Sequence, residues 1–140
     1  MHPQIAEQIA TLLNRQNQLA IFQTPEMILD SQDRYLVSLY GSRVLGVVAV
    51  TKVQWYQGEI SHLSVCPDVR RRGIAKGLLR DAEESLRRCG ARIAQCTVRD
   101  GNEASEKLFQ GQGYRMTLRF FNPERGNRIA VYQKVLEERG

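Results

Sequence analysis

Three consecutive arginines and a glycine, residues 70–73, stand between a short apolar run and a long amphipathic one. The apolar run, Leu63–Val65, predicts the end of a buried strand. The amphipathic run predicts a helix that Gly90 ends, with apolar residues at Ile74, Leu78, Ala82 and Leu86. Because the first N–H groups of a helix lack internal partners and lie at the positive end of its dipole, this junction predicts an anion site that a phosphate can approach closely.

The glycine spacing separates this loop from two other phosphate-binding loops. It matches neither the Walker pattern Gly-x-x-x-x-Gly-Lys-Ser/Thr nor the Gly-x-Gly-x-x-Gly of dinucleotide-binding folds. It resembles instead the Arg/Gln-x-x-Gly-x-Gly/Ala signature of the GNAT family of N-acetyltransferases, in the required strand–loop–helix context. The resemblance implies that the loop holds the pyrophosphate of acetyl-coenzyme A (acetyl-CoA). The matching residues are Arg70, Arg71, Arg72, Gly73, Ile74 and Ala75.

The length and composition predict one domain. A chain of 140 residues, 42% of them hydrophobic, can bury a core of its own, so we expect a single acetyltransferase domain over residues 1–140. No apolar run approaches the roughly 18 residues of a membrane span. The N-terminal residues also lack the basic segment and apolar core of a signal peptide. We therefore expect a cytoplasmic protein with no membrane partner.

The charge and the cysteines restrict the classes of ligand. The formal net charge is +5, and residues 70–72 supply a large part of it. Because no basic platform interleaved with aromatic residues accompanies them, this charge favours a phosphate-bearing small molecule over nucleic acid. Cys66, Cys89 and Cys96 are odd in number and lack metal-ligand spacing, so we expect neither a disulfide framework nor a metal site.

The first half of the chain predicts two helices followed by an antiparallel meander. A helix is expected over residues 3–18, and Thr24-Pro25-Glu26 predicts the start of a short helix that ends near Asp30. The nearly continuous apolar run over residues 44–53 predicts a strand that is buried on both faces. Its neighbours are strands over residues 35–40 and 59–65, joined by turns at Gly41-Ser42 and residues 55–58.

The second half alternates helices and strands. A helix over residues 71–89 between two strands implies a parallel crossover. The other expected elements are a strand over residues 91–98, a helix from about residue 102 to residues 111–113, and strands over residues 114–121 and 128–136. The whole order predicts an α+β fold, a three-layer α/β/α sandwich with a mixed, mostly antiparallel sheet. It resembles the GNAT fold from its second strand onward, and we expect the first strand to be missing because few residues precede Ile5.

The GNAT resemblance also assigns the walls of a cofactor cleft. In that family the pantetheine arm pairs with the exposed backbone of the fourth strand, where a bulge separates it from the fifth. Leu63 and Val65 match that strand, and the N–H of Val65 is expected to polarise the thioester carbonyl. Residues 102–114 resemble a second family segment whose asparagine bonds the pantetheine arm. Asn102 could make that bond and also cap a helix, whereas Ser105 could face the cofactor or simply be a tolerated small residue.

Two positions depart from related enzymes. At the cofactor-contacting position of Phe109, many relatives, including the N-terminal acetyltransferases of ribosomal proteins, have a tyrosine that protonates the departing thiolate. Phenylalanine cannot donate a proton, so the acid would be water, another tyrosine (Tyr56, Tyr114 or Tyr132) or no group at all. The same ribosomal-protein enzymes have a glutamate base where this chain has Thr97.

A general base is still required, because only the neutral form of an amine attacks a thioester. Glu59 is the first candidate, since it matches the catalytic glutamate of histone-acetylating relatives. The alternative interpretation of Glu59 is an exposed residue at a strand edge. His62 is the second candidate and has suitable basicity, although strand alternation directs it to the opposite face unless the bulge changes the phase.

These features together predict an N-acetyltransferase that moves an acetyl group from acetyl-CoA directly to a primary amine of a peptide, protein or small molecule. Neither a metal nor a covalent enzyme intermediate is expected. The alternative is an acyl-CoA-binding module that has kept the loop and lost catalysis, which Phe109 and Thr97 favour. Nucleic-acid binding by the arginines is a third and less favoured hypothesis. Relatives often pair, so the resemblance also allows a homodimer.

Overall fold

The computed structural model describes residues 1–16 and 22–137 and contains a six-stranded sheet with helices on both faces. The helices are α1 (Pro3–Gln16), α2 (Pro25–Asp30), α3 (Ile74–Arg88) and α4 (Glu103–Gly111). The strands are β1 (Arg34–Tyr40), β2 (Arg43–Gln54), β3 (Gln57–Val65), β4 (Ile93–Arg99), β5 (Arg115–Asn122) and β6 (Asn127–Val135). One turn of 3-10 helix, Pro67–Val69, follows β3. Within the described ranges, no helix combines the length and the apolar character needed to cross a membrane.

The sheet is mixed and mostly antiparallel. Its order is β1-β2-β3-β4-β6-β5, and β3 and β4 are parallel neighbours whereas the other neighbours are antiparallel. Helix α3 connects the two parallel strands, as the strand–helix–strand order requires. The predicted α+β class and sheet type are therefore confirmed.

Two predicted boundaries are wrong, and both lie beside tight backbone features. Helix α3 begins at Ile74 rather than at Arg71, because Arg71 and Gly73 have φ angles of 66° and 78° that a right-handed helix excludes. The turn after β2 is shorter than predicted, since Gln57 and Gly58 already pair with both neighbouring strands. The end of the first predicted helix, residues 17 and 18, lies outside the described residues.

Two hydrophobic clusters fix the helices to the sheet. The larger one packs the buried stripe of α3, including Leu78 and Leu86, against the centre of the sheet. The smaller one packs α1 and α2 against the opposite face. Strand β2 contributes to both clusters, because its adjacent residues Val47 and Val48 point to opposite faces, as its continuous apolar sequence predicts. Its last residues, 52–54, are exposed. The sheet is therefore packed against helices on both faces.

Candidate active site

The parallel strands β3 and β4 separate partway along their length, and the gap between them is the centre of the candidate site. Their ladder runs from the pair Gln57–Ile93 to the pair Glu59–Gln95 and stops there, although both strands continue. The register of β3 against β2 shifts near His62, which has a left-handed φ of 55°. An inserted residue of this kind bends a strand and increases its twist. The bulge that the GNAT resemblance predicts is confirmed.

A cavity of about 470 Å³ lies on the side of the gap that faces the arginine loop. The end of β3, the loop before α3, the first turn of α3 and the start of α4 form its walls. Most of the predicted cofactor-binding residues line it: Leu63, Val65, Arg70, Arg71, Gly73, Ile74, Ala75, Asn102 and Ser105. Arg72 and Phe109 are not part of this lining.

The backbone around Gly73 forms the floor of this cavity. Gly73 has a φ of 78°, and a Cβ atom added there would meet no protein atom within 4 Å, so the space beside it is open. Arg71 also adopts a left-handed conformation, with a φ of 66°, which is uncommon for a residue with a side chain. Left-handed residues of this kind turn successive N–H groups toward one point and form concave anion sites. The N-terminus of α3 follows directly and adds its unpaired N–H groups.

Positive side chains add to the backbone donors. Arg70, Arg71, Lys76 and Arg99 all line the cavity. The acid of this loop, Asp68, lies outside the cavity and accepts hydrogen bonds from Arg43 through both carboxylate oxygens at 2.8 Å. That hydrogen bond lowers the pKa of Asp68, and the charge of Arg72 contributes in the same direction. The negative charge of the loop is thus paired elsewhere, and the cavity suits an anion.

The start of α4 forms the opposite wall. The side-chain oxygen of Asn102 accepts a hydrogen bond from the N–H of Ser105 at 3.3 Å, so the predicted N-cap is confirmed. Both residues line this cavity and also a second one across the gap. Because the cap uses the oxygen of the Asn102 amide, the NH₂ group of that amide is the part that could contact a ligand.

The second cavity, of about 290 Å³, lies on the other side of the gap. It shares Leu63, Arg99, Asn102 and Ser105 with the first, so the two cavities meet between β3 and β4. Both candidate bases, Glu59 and His62, line this second cavity, as do Thr97 and Phe109. Phe109 is buried and stacks edge to face on Tyr114. The predicted residues therefore divide between two connected spaces, except Arg72, which lines neither cavity.

Glu59 occupies the last paired position before β3 and β4 diverge. Its Oε1 accepts hydrogen bonds from the side-chain amides of Gln95 at 2.5 Å and Gln57 at 3.3 Å. Burial raises the pKa of the Glu59 carboxyl above its usual range, and these two hydrogen bonds partly oppose that change. A carboxylate with a raised pKa at the edge of a cavity is suited to accept a proton near neutral pH.

His62 lies on the bulge itself and lines the same cavity as Glu59. Burial lowers the pKa of the His62 imidazole below its usual value, and the charge of Asp33 partly opposes this change. His62 is therefore neutral at neutral pH, which is the form that can accept a proton. The bulge thus brings both candidate bases to one space, which simple strand alternation does not predict.

The tyrosines and Cys96 contribute little acid or nucleophilic chemistry to the site. In the part of the chain that the structure describes, no tyrosine lines either cavity. Tyr114 is buried and donates a hydrogen bond to Glu83 at 2.9 Å, while Tyr132 is buried and accepts one from Gln110. Burial raises the pKa of the Cys96 thiol to about 12, so its nucleophilic thiolate form is disfavoured. Among residues 1–16 and 22–137, no group of three or more His, Cys, Asp or Glu residues could hold a metal ion.

The glutamines around Glu59 are functional candidates that the sequence did not predict. Gln95 and Gln133 occupy directly paired positions on β4 and β6, next to Glu59 on β3. The signal for Gln95 and Gln133 in the sequence is a polar residue next to the apolar part of its strand. Their proximity to Glu59 depends on the register of three strands, which the sequence alone does not specify.

Comparison with known proteins identifies similar chains. The model of the family described as "Acetyltransferase (GNAT) family" matches residues 6–114. Among solved structures, yncA from Salmonella typhimurium, determined with its cofactor acetyl-CoA, has a TM-score of 0.82 at 19% identity and covers 99% of this chain and 92% of its own. An N-acetyltransferase from Staphylococcus aureus has a TM-score of 0.82 at 20% identity, over 98% and 96% of the two chains. A ribosomal-protein-alanine N-acetyltransferase from Brucella melitensis has a TM-score of 0.79 at 20% identity, over 97% of each chain.

Proposed function

The chain belongs to the GNAT family of acetyltransferases, and we propose that it transfers the acetyl group of acetyl-CoA directly to a primary amine. The observation that carries this proposal is the gap between β3 and β4, which joins a cavity lined by arginines to a cavity lined by a partly buried carboxylate. Acetyl transfer to an amine needs these two environments on opposite sides of one reacting bond, because the cofactor is anionic and the attacking amine must lose a proton.

The residues of the larger cavity fit acetyl-CoA. The N–H groups around Gly73 and at the start of α3 bind the pyrophosphate in this proposal, and Arg70 and Arg71 add charge-assisted hydrogen bonds. The backbone of Leu63 and Val65 extends the pantetheine arm toward the gap. The N–H of Val65 donates to the thioester carbonyl oxygen, where negative charge grows as the amine attacks.

Glu59 is the proposed base. The amine enters through the smaller cavity, and the carboxylate of Glu59 takes its proton directly or through a water molecule. His62 is the second candidate, because it lines the same cavity in its neutral form. In the absence of a tyrosine among the described lining residues, we propose that solvent protonates the departing thiolate.

A panel of amines with measurement of free coenzyme A thiol tests this function. The panel includes peptide N-termini, lysine, polyamines and amino sugars, because the proposal specifies a primary amine and not its carrier. We expect steady thiol release with at least one class, and a product that carries one acetyl group on nitrogen. Acetyl-CoA that neither binds nor turns over would contradict the proposal.

The alternative function is an acyl-CoA-binding module without catalysis. The buried Phe109 at the position of the family's tyrosine is the observation that favours it. Tight binding of acetyl-CoA in calorimetry, together with no thiol release on any amine, would support the module over the enzyme. Cytoplasmic location and homodimer formation also stay predictions, which cell fractionation and light scattering of the purified chain would test.

A further inference from the structure

A row of polar side chains crosses the sheet at the point where β3 and β4 diverge. Strand register places Glu59 beside Gln95 on β4, and Gln95 beside Gln133 on β6. The Nε2 of Gln133 donates to the Oε1 of Gln95 at 2.6 Å, and the Nε2 of Gln95 donates to the Oε1 of Glu59 at 2.5 Å. All three side chains are partly buried, so these hydrogen bonds are sheltered from solvent.

The donor and acceptor pattern allows only one orientation of the amide groups in this row. An ionised carboxylate only accepts hydrogen bonds, so the amide of Gln95 must direct its nitrogen toward Glu59. The oxygen of that amide then faces Gln133, whose nitrogen satisfies it. Gln133 thus prevents the amide of Gln95 from rotating, and Gln95 in turn holds one oxygen of Glu59.

The other oxygen of Glu59 has a different environment. Gln57 and Gln95 both donate to Oε1, whereas no side chain or backbone group of the described residues donates to Oε2. The two oxygens of the carboxylate are therefore unequal. One is occupied by amide donors, and the other can receive a proton in the cavity that Glu59 lines.

We propose that Gln95, held in place by Gln133, is a positioning residue that fixes Oε1 of Glu59 and leaves Oε2 as the proton-accepting atom. This inference rests on the proposed function, in which Glu59 is the base. Neither glutamine contacts the amine or the cofactor in this proposal, and both act through Glu59. A base held at one oxygen keeps a constant direction toward the amine, which general base catalysis requires.

The ionisable groups around Glu59 are consistent with this role for the amides. Those in the lining of the same cavity are His62 on β3, and Cys96 and Arg99 on β4. Asp33 lies before β1 and accepts a hydrogen bond from Thr51, which is opposite Glu59, and Arg115 lies at the far end of the row on β5. The pKa of Glu59 responds to burial first and then to Gln95 and Gln57, and none of these charged groups is among its causes. Removing an amide donor therefore changes the pKa of the Glu59 carboxyl without removing a neighbouring charge.

The experiment compares Gln95→Met and Gln133→Met with a matched control, Gln54→Met, on an exposed part of β2. The titration of Glu59 is followed by NMR of ¹³C-labelled glutamate side chains in the chain without substrate. The Glu59 signal is assigned by its absence in Glu59→Gln. Gln95→Met should raise the pKa of Glu59, because a donor to the charged form is lost. Gln133→Met should raise it less, and Gln54→Met should leave it unchanged.

Kinetics supply the second measurement on the same variants. With an amine that turns over, kcat/KM rises with pH as Glu59 loses its proton, so Gln95→Met should move this acidic limb to higher pH. At a fixed pH on the limb, kcat/KM should fall about tenfold, the effect of losing one hydrogen bond to a charged group. The KM for acetyl-CoA should not change. The shifted acidic limb is the result that a partial loss of folded enzyme would not reproduce, because a smaller amount of folded enzyme lowers the rate without moving the limb.

The outcomes separate this inference from the proposed function. A wild-type Glu59 titration in both Gln95→Met and Gln133→Met would overturn the positioning role, whether or not any amine is acetylated. If the titrations shift as expected while no amine releases thiol, the hydrogen-bonded hold on Glu59 is supported and the proposed catalysis fails. A wild-type pH profile in Glu59→Gln would overturn both the base and its positioning residues. If Gln95→Met does not fold, Gln133→Met still decides the result.

Discussion

The two cavities that meet between β3 and β4 are built from different kinds of group. The larger one combines the backbone of the Gly73 loop, the N-terminus of α3 and the end of β3 with the nearby cations Arg70, Arg71 and Lys76. The smaller one presents side chains, above all Glu59 and His62, supported by glutamines from other strands. A main-chain site needs a short local pattern with a glycine at one position, whereas a side-chain site needs strands brought into register. This is why one side is encoded in consecutive residues and the other is dispersed along the chain.

The largest expected effect concerns Gly73→Val. A side chain there would occupy the open space of the cavity, so the affinity for acetyl-CoA should fall at least about 100-fold, measured by titration calorimetry. The left-handed φ also costs about 1–2 kcal/mol of stability for any residue with a Cβ. Gly41→Val is the matched control, because Gly41 has a φ of 60°, open space around it and no place in the cavity. Equal affinities in the two variants would mean that the loop does not bind the cofactor.

The next effect tests the side-chain half of the site. Glu59→Gln should lower kcat about 100-fold or more at unchanged affinity for acetyl-CoA. Because burial raises the pKa of Glu59, the wild-type rate should increase with pH through a range above that of an ordinary glutamate, and this limb should vanish in the variant. His62→Gln should retain the limb. If His62→Gln removes it instead, at a pH below the usual histidine range, then His62 is the base.

The smallest expected effect concerns the side chain of Asn102, in the wall of the larger cavity. Asn102→Ala removes the N-cap of α4 and should lower the free energy of unfolding by about 1 kcal/mol in urea denaturation. The affinity for acetyl-CoA should fall only a few-fold, since in the proposed binding mode the Gly73 loop, Arg70 and Arg71 hold the pyrophosphate and Asn102 does not. Thr24→Ala removes a comparable cap from α2, away from both cavities, and should leave that affinity unchanged. A loss of affinity as large as that of Gly73→Val would contradict the contrast between the two sides.

The predictable parts of the fold were those with a strong local signal. Apolar periodicity identified α3, and continuous apolar residues identified β2 as a strand that meets both clusters. The errors occurred where backbone geometry overrides composition. Arg71 is a good helix former in general, yet its left-handed φ keeps it out of α3. Gln57 and Gly58 look like turn residues, yet strand pairing on both sides extends β3 through them.

The predictable part of the site followed the same division. The Arg70–Ala75 pattern predicted an anion loop from consecutive residues, because a loop between strand and helix can bind phosphate with its own backbone, and the structure places most of these residues along the larger cavity. Glu59 was identified as a candidate by resemblance, but its hydrogen-bond partners were not. Gln95 is 36 residues from Glu59 in the sequence, and Gln133 is 38 residues from Gln95. No local pattern connects residues at such separations.

The sequence by itself determined the order of helices and strands, the position of the loop before α3 and the capped start of α4, since each depends on interactions within a few residues. Only the tertiary structure decided where β3 leaves β4, that Phe109 faces the second cavity, and that His62 shares this cavity with Glu59. The reason is that strand register and a single bulge set these positions. A shift of one residue would reverse every side chain of a strand, and the choice between the two arrangements comes from packing across the whole sheet.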